Sequence, residues 1–419
     1  MEDVMNNVII IFANKTLTDV DSLEFLELVK ACDFEVQKTF YQLLKSISLT
    51  TYIGKGKCEE VKEYLEEEPC DYVIVNQELS AIQVKNLEAI FQIPVFDRTD
   101  LILEIFSKRA KTPTARLQIE SAQLKKMLPR LIGSNTKLGR QSASGQNKGS
   151  GEKQLELDRR NIKQRISEVD RELKRLEAQR STQRRSRQHS SLKLVSLVGY
   201  TNAGKSTIMN QLLRYTNHTE DKQVLEKDML FATLDTAVRH IQLPYGRSFL
   251  LSDTVGFVNH LPHELIQAFH STLEEVKYAD VLLQVVDASD PQHLEHMAIT
   301  QETLQVIEAA HIPMITIFNK CDKSNYTYPN QVADRIYISA KDDDNIPYLL
   351  DCILNQLFPM HHHVWMKLPY EQGSVYSRLM ESSKVEEQEY KEDGIYLRAR
   401  LSNELFQKYK HFVIKMLSD

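Results

Sequence analysis

Apolar residues along this chain follow two rhythms. One is a set of short unbroken runs: Val8-Ile9-Ile10-Ile11-Phe12, Tyr72-Val73-Ile74-Val75, Leu194-Val195-Ser196-Leu197-Val198, Phe249-Leu250-Leu251, Met314-Ile315-Thr316-Ile317-Phe318 and Ile336-Tyr337-Ile338. Runs of that length, rich in β-branched residues, predict buried strands. Helices are predicted over Asp21 to Ala31, Leu79 to Phe91 and Thr207 to Leu213, and Ile93-Pro94-Val95-Phe96 reads as a further short strand. The second rhythm lies in the middle of the chain. Leu117, Leu124, Leu128 and Leu131 are spaced 7, 4 and 3 apart, and Leu155, Ile162, Ile166, Val169, Leu173 and Leu176 are spaced 7, 4, 3, 4 and 3. Two heptad seams joined by a polar stretch predict a long antiparallel helical hairpin. The join, Gly133 to Gly151, is rich in Gly, Ser and amides and has no apolar period, which predicts a projecting tip. Near the C-terminus Ile395-Tyr396-Leu397-Arg398-Ala399-Arg400-Leu401 alternates and a helical stretch follows.

These patterns predict an α/β multidomain protein. A small α/β domain spans 1–107, and a helical hairpin spans 108–190 with its tip at 133–151. A doubly wound, mostly parallel sheet spans 191–360, and a small α+β domain spans 361–419. At 419 residues, 42% of them hydrophobic, the chain can fill more than one core. No apolar run approaches the roughly 18 residues a membrane span needs, and the start lacks the charged-then-apolar pattern of an export signal. Cys32, Cys58, Cys70, Cys321 and Cys352 are scattered without C-x-x-C spacing, which points to reduced thiols and a cytoplasmic protein.

Charge changes the reading of the hairpin. The net charge of −6 hides a segment, 108–193, with 23 Lys and Arg against 8 Asp and Glu, a net of +15; the rest carries 29 against 50, a net of −21. A basic arm inside an acidic protein signals a polyanionic partner, with a solvated helix face as the plainer alternative. Its small, flexible tip suits insertion into crowded RNA, or serves as a passive linker.

Candidate chemistry begins at Gly199-Tyr200-Thr201-Asn202-Ala203-Gly204-Lys205-Ser206, which fits G-x-x-x-x-G-K-[ST] between a predicted strand and a helix entered at Thr207. Such a loop wraps backbone N–H groups around phosphates. Lys205 neutralises their oxygens, and Ser206 offers a hydroxyl to Mg²⁺ at a helix N-terminus. Asp253-Thr254-Val255-Gly256 follows a predicted strand, where an acid reaches the outer shell of the metal and a glycine N–H reaches the γ-phosphate. Phe231-Ala232-Thr233-Leu234-Asp235 lies between, with Thr233 as the second Mg²⁺ hydroxyl ligand. Asn319-Lys320-Cys321-Asp322 follows another predicted strand. A carboxylate at Asp322 pairs with the N1–H and exocyclic amine of guanine and would be left unpaired by adenine, a discrimination on the order of 10⁴. Ser339-Ala340-Lys341 completes the base pocket. Five pieces in this order predict a P-loop domain that binds GTP. Asn202 could hold a monovalent ion such as potassium against the phosphates, or act as a loop-capping amide. Two weaker signals read as structure. Gly54-Lys55-Gly56-Lys57 lacks a following Ser or Thr and is taken as a turn, and Met360-His361-His362-His363 lacks partner ligands and is taken as an exposed turn after a helix.

With these residues in view, the chain resembles the HflX family of ribosome-associated GTPases. The resemblance rests on Tyr52-Ile53-Gly54-Lys55-Gly56-Lys57, Gln154-Leu155-Glu156-Leu157-Asp158-Arg159-Arg160, Leu230-Phe231-Ala232-Thr233-Leu234-Asp235, Asp253-Thr254-Val255-Gly256-Phe257 and Ala268-Phe269-His270-Ser271-Thr272-Leu273-Glu274-Glu275. It implies a GTP-hydrolysing monomer that binds the large ribosomal subunit, reaches toward the peptidyl-transferase region with the hairpin tip, and splits 70S ribosomes, including those stalled by stress or antibiotics. The tip departs from the family's G-G-x-G-x-R-G-P-G-E pattern: Lys148 stands for an arginine and Ser150 for a proline. Lys205, Thr233, Asp253 and Gly256 carry the chemistry, with Mg²⁺ on Ser206 and Thr233. Phe257 stands where many GTPases carry a water-orienting glutamine, so slow intrinsic hydrolysis is expected. Two other readings remain open at this level: an RNA-binding GTPase of ribosome assembly or tRNA modification, and a protein-recruiting switch without RNA contact.

Overall fold

The computed structural model describes residues 6–14, 19–132, 150–188, 192–216, 237–242, 248–254, 256–257, 275–358 and 362–417. They form two compact units, one built on the residues before 187 and one on those after. In the first unit, β1 (Asn6–Asn14), β2 (Phe34–Leu43), β3 (Tyr72–Val75) and β4 (Val95–Phe96) make a parallel sheet in the order β2-β1-β3-β4. Helices α1 (Asp19–Ala31), α2 (Lys55–Glu67), α3 (Ala81–Phe91) and α4 (Arg98–Arg109) connect and flank it. Val8 through Ala13 are all fully buried, as a central parallel strand covered on both faces requires. Strand β2 and helix α2 were not legible in the sequence. Strand β2 is an edge strand whose residues are mostly exposed or half-exposed, so it lacks an apolar run. Helix α2 buries only Cys58 and Val61 of KGKCEEVKEYLEE, too few to show a period. Gly54 is its N-cap, so Gly54-Lys55-Gly56-Lys57 opens a helix, where the sequence suggested a turn.

Helices α5 (Pro113–Ile132) and α6 (Ser150–Gln188) follow. Val169 is fully buried, and Ala115, Ile119 and Ala122 are buried on α5. Arg165 grips Glu120 with two N–H donors at 2.6 and 3.0 Å, and Asp170 accepts from Ser121 at 3.2 Å and Lys125 at 3.4 Å. Ser150 and Gly151, assigned from sequence to the tip, belong to the first turn of α6; 133–149 lies outside the described residues.

The second unit holds a seven-stranded sheet in the order β10-β11-β9-β8-β5-β7-β6. Its strands are β5 (Lys193–Gly199), β6 (Ala237–Gln242), β7 (Ser248–Asp253), β8 (Val281–Asp287), β9 (Met314–Asn319), β10 (Asn330–Val332) and β11 (Arg335–Tyr337). The five inner strands run parallel, and the two edges, β6 and β10, are antiparallel. Helices α7 (Lys205–Thr216), α8 (His293–Val306) and α9 (Asn345–Leu357) connect and flank the strands, with Leu197, Ile208, Phe249, Ile317 and Ile353 fully buried in one core. The chain then forms β12 (His362–Leu368), α10 (Gly373–Ser382), β13 (Lys384–Lys391), β14 (Gly394–Leu401), α11 (Asn403–Tyr409) and β15 (Val413–Met416), an antiparallel sheet in the order β13-β14-β12-β15. His362 and His363 therefore begin a strand, not an exposed turn. His363 is buried, with Nε2 3.0 Å from Glu386. Met360 and His361 lie outside the described residues, and among those described no helix is long and apolar enough to cross a membrane.

One ion cluster ties α5 to the first sheet. Asp97 caps α4 in a capping box with Asp100, and its fully buried carboxylate accepts from Lys126. Asp100 takes Lys126 at 2.9 Å and Arg130 at 2.7 Å. Burial, then the neighbouring Asp100, pushes Asp97 above the ordinary carboxylate range, against the pull of Lys126. Burial would raise Asp100 too, but Lys126 and Arg130 together hold it low. Asp97→Ala removes a helix cap and leaves Lys126 without its closest buried partner. It should cost about 3–5 kcal/mol, read as a matching loss of hydrogen-exchange protection in β3 and α4. Unchanged protection would show the cluster to be idle.

Candidate functional site

The chain leaves β5 toward β6 at one edge of the sheet and leaves the adjacent β8 toward β9 on the other side, so the loop after β5 opens into the crevice at that switch point. Sterics set the course of that loop. Gly199 has φ +139°, and a Cβ there would lie 2.3 Å from the Val285 carbonyl oxygen. Gly204 has φ +97°, and a Cβ would lie 2.2 Å from Asn319 Nδ2. Neither position can carry a side chain. Asn202 is also left-handed, at φ 60°, a region asparagine tolerates. The loop then enters α7, whose first turn holds Lys205, Ser206 and the half-buried Thr207.

Lys205 is buried and donates from Nζ to the carbonyls of Gly199 at 2.9 Å and Tyr200 at 2.7 Å. Burial pushes its pKa down to about 8, with Asp253 opposing in part. Ser206 Oγ donates to Asp253 Oδ2 at 2.8 Å. Asp253 ends β7 fully buried, and Thr254 Oγ1 donates to the Leu197 carbonyl at 2.7 Å. A Cβ on Gly256 would meet Thr201 Cγ2 at 2.6 Å and Lys205 Nζ at 3.0 Å, so its backbone lies directly against the loop. Phe257 is stitched to the same loop: its N–H donates to Gly199 at 3.2 Å and its carbonyl accepts from Thr201 N–H at 2.8 Å. Its ring is buried and brings no polar group to the site. A hydroxyl and a carboxylate side by side at a helix N-terminus form the hard oxygen set that Mg²⁺ prefers, so these residues fit that ion.

Thirdly, the ends of β9 and β11 build a pocket. Asn319 is buried, donates from Nδ2 to the Ala203 carbonyl at 2.9 Å, and accepts at Oδ1 from the Ala340 N–H at 2.9 Å. Lys320 is left-handed at φ 63° and reaches Asp287 at 2.8 Å. Cys321 is buried beneath the pocket, and burial pushes its thiol up. Asp322 is exposed, and its Oδ1 accepts from Ser339 Oγ at 2.7 Å; Ser339 Oγ also accepts from the N–H of exposed Lys341 at 3.4 Å. The structure thus gathers Gly199 to Ser206, Asp253 and Gly256 at one end and Asn319 to Asp322 with Ser339 to Lys341 at the other. Phe231, Ala232, Thr233, Leu234, Asp235 and Val255 lie outside the described residues.

Two neighbours escaped the sequence reading. Asp287 orients Lys320 and ends the apolar run Val281 to Val286, a strand signal that was there to be read. His296 on α8 stacks on Tyr200 with ring centroids 3.7 Å apart and planes 9° from parallel; no local signal in the sequence marks it.

The chain is similar to known GTP-binding proteins. Residues 20–107 match the family described as GTP-binding GTPase N-terminal, 109–187 the GTP-binding GTPase middle region, and 194–320 the 50S ribosome-binding GTPase. The chain is 42% identical to the GTPase HflX of Caldanaerobacter subterraneus subsp. tengcongensis, over 93% of this chain and 90% of that protein. It is 36% identical to the GTPase HflX of Escherichia coli strain K12, over 91% of this chain and 89% of that one. Among solved structures, a GTP-binding protein from the archaeon Sulfolobus solfataricus in complex with GDP is 24% identical, covers 84% of this chain and 98% of its own, and superposes with a TM-score of 0.45. At the identity and length shared with its two bacterial relatives, the chain belongs to the HflX family, and it is a GTPase.

Proposed function

We propose that this GTPase associates with the large ribosomal subunit and separates 70S ribosomes, acting in the cytoplasm as a monomer. The observation that carries the reading is the basic hairpin, net +15 over 108–193, joined in one chain to a GTPase domain. Support comes also from the name of the matching domain family, which is described as 50S ribosome-binding. On this reading α5 and α6 present cations to ribosomal RNA phosphates, and the tip reaches the subunit interior.

In the GTP site, catalysis is positioning and charge neutralisation. Loop N–H groups from Gly199 to Ser206 hold the phosphates, and Lys205 neutralises them. Gly256 offers its N–H to the γ-phosphate. Ser206 and Thr233 would hold Mg²⁺, with Asp253 in its outer shell; when bound, the ion neutralises phosphate charge. Thr207 and Phe231 to Asp235 complete the nucleotide contacts. At the base, Asp322 reads guanine while Ser339, Ala340, Lys341 and Asn319 shape the pocket. Since Phe257 supplies no polar group, one element of catalysis comes from outside the side chains named. Asn202 is the residue that would seat a potassium ion there.

Asp322→Asn should lose GTP affinity by on the order of 10³ or more and gain xanthosine triphosphate, whose altered edge pairs with an amide. Fluorescent-nucleotide titration measures both, and equal GTP affinity in mutant and wild type would sink the assignment of Asp322. Hydrolysis should run faster in potassium than in sodium at matched ionic strength, and Asn202→Ala should erase the difference; equal rates for the wild type would leave Asn202 a loop cap. Replacing 135–150 with a short Gly/Ser linker should spare GTP binding and abolish subunit separation in sedimentation of 70S particles. If that variant splits ribosomes as well as wild type, the hairpin is only a docking surface.

A further inference from the structure

The C-terminal sheet follows the order β-α-β-β-α-β, and its two central strands, β12 and β14, are the first and third strands of that motif. One face is closed. Val364, Met366 and Leu368 of β12 join Leu397 of β14, Leu379 of α10 and Leu405 of α11 in a core. Side chains alternate along a strand, so the residues between these point to the opposite face. There, on β12, stands Trp365, the single tryptophan of the chain, paired in register with Arg398; Lys367 is paired with Tyr396. The Trp365 and Tyr396 ring centroids lie 6.4 Å apart with planes at 40°. Lys391 and Lys367 place their ammonium groups 4.6 and 5.8 Å from the centre of the Tyr396 ring. Trp365, Tyr396 and Arg398 all remain partly exposed.

We propose that this open sheet face is a second nucleic-acid site, stacking bases of single-stranded RNA on Trp365 and Tyr396 and pairing their phosphates with Arg398, Lys367 and Lys391. Its residues belong neither to the GTP pocket nor to α5 and α6, and it goes beyond the function proposed above. Topology alone carries no function; the placement of two aromatics on adjacent central strands, with cations interleaved, carries this one. Bases bring π-faces to the rings and phosphates to the cations, the two chemistries that single-strand binding combines. Arg398 now pairs with Glu387 and with the half-buried side chain of Glu386, each at 3.3 Å, Lys367 with Asp393 at 2.6 Å and Lys391 with Glu389 at 2.9 Å. The pairs to Glu387, Asp393 and Glu389 are exposed and worth little, so a phosphate can replace those carboxylates. A protein partner binding by apolar contact would meet these cations instead.

Because Trp365 is unique, its fluorescence in the full-length protein reports this face and no other. Titration with an unstructured octaribonucleotide should quench it saturably, with a Kd that rises steeply with salt, while inorganic polyphosphate leaves the emission unquenched. Tyr396→Ala should raise that Kd roughly tenfold or more without changing GTP hydrolysis, and Tyr396→Phe should restore it. RNA binding seen by anisotropy with no change in Trp365 emission would overturn the proposal and assign the RNA to another surface. Quenching by polyphosphate, or a wild-type Kd in Tyr396→Ala, would equally overturn stacking and mark the face as electrostatic or protein-binding. None of these outcomes bears on whether the hairpin splits ribosomes.

Discussion

Asn319 commits both halves of its amide to backbone: Nδ2 to the Ala203 carbonyl and Oδ1 to the Ala340 N–H, each at 2.9 Å. Three loops meet there, separated in sequence by 116 and 21 residues. The phosphate end and the base end of the pocket are thereby held at one spacing, so that a nucleotide reaching both need not be accommodated by movement of the loops. Losing either bond would strand a buried polar group, at a cost of about 1–3 kcal/mol. Gly204 permits the approach, because a Cβ there would sit 2.2 Å from the same amide. The glycines of this site matter for closeness first: Gly199 lets β8 lie against the loop, and Gly256 lets the segment after β7 touch Thr201 and Lys205.

The same closeness shapes the surroundings of Phe257. Tyr200 and Phe257 are joined by a parallel bridge whose two hydrogen bonds tie the start of the loop to the segment after Asp253. Phe257 is buried, and its ring offers no polar group. What remains is a well-ordered cradle for charge, with Lys205 held by two carbonyls and Ser206 beside Asp253. Such a cradle holds a nucleotide by positioning and charge neutralisation.

Charge is distributed by the same logic on a larger scale. Where cations hold the fold they are half-buried and paired, as Lys126 and Arg130 are on the cap of α4. The cations on α6 are solvent-exposed where its side chains are described, and there they contribute little to stability and remain available to phosphates.

The sequence by itself determined the nucleotide, the buried strands that carry its motifs, and the two amphipathic stripes of the hairpin. These are local patterns: Leu194 to Val198 and Met314 to Phe318 are apolar because parallel strands are covered on both faces. It did not reveal β2, α2 or most of the last sheet, where the apolar signal is split between an exposed edge and a thin buried stripe. The histidines at 362 and 363 looked like a turn because nothing local announces a strand that pairs with residues near 400. Only the tertiary structure set Tyr200 against His296, Asp287 against Lys320, and Trp365 beside Tyr396. The physical reason is common to all three pairs: each partner comes from a different element, and the register that joins them is decided by the packing of whole sheets and helices.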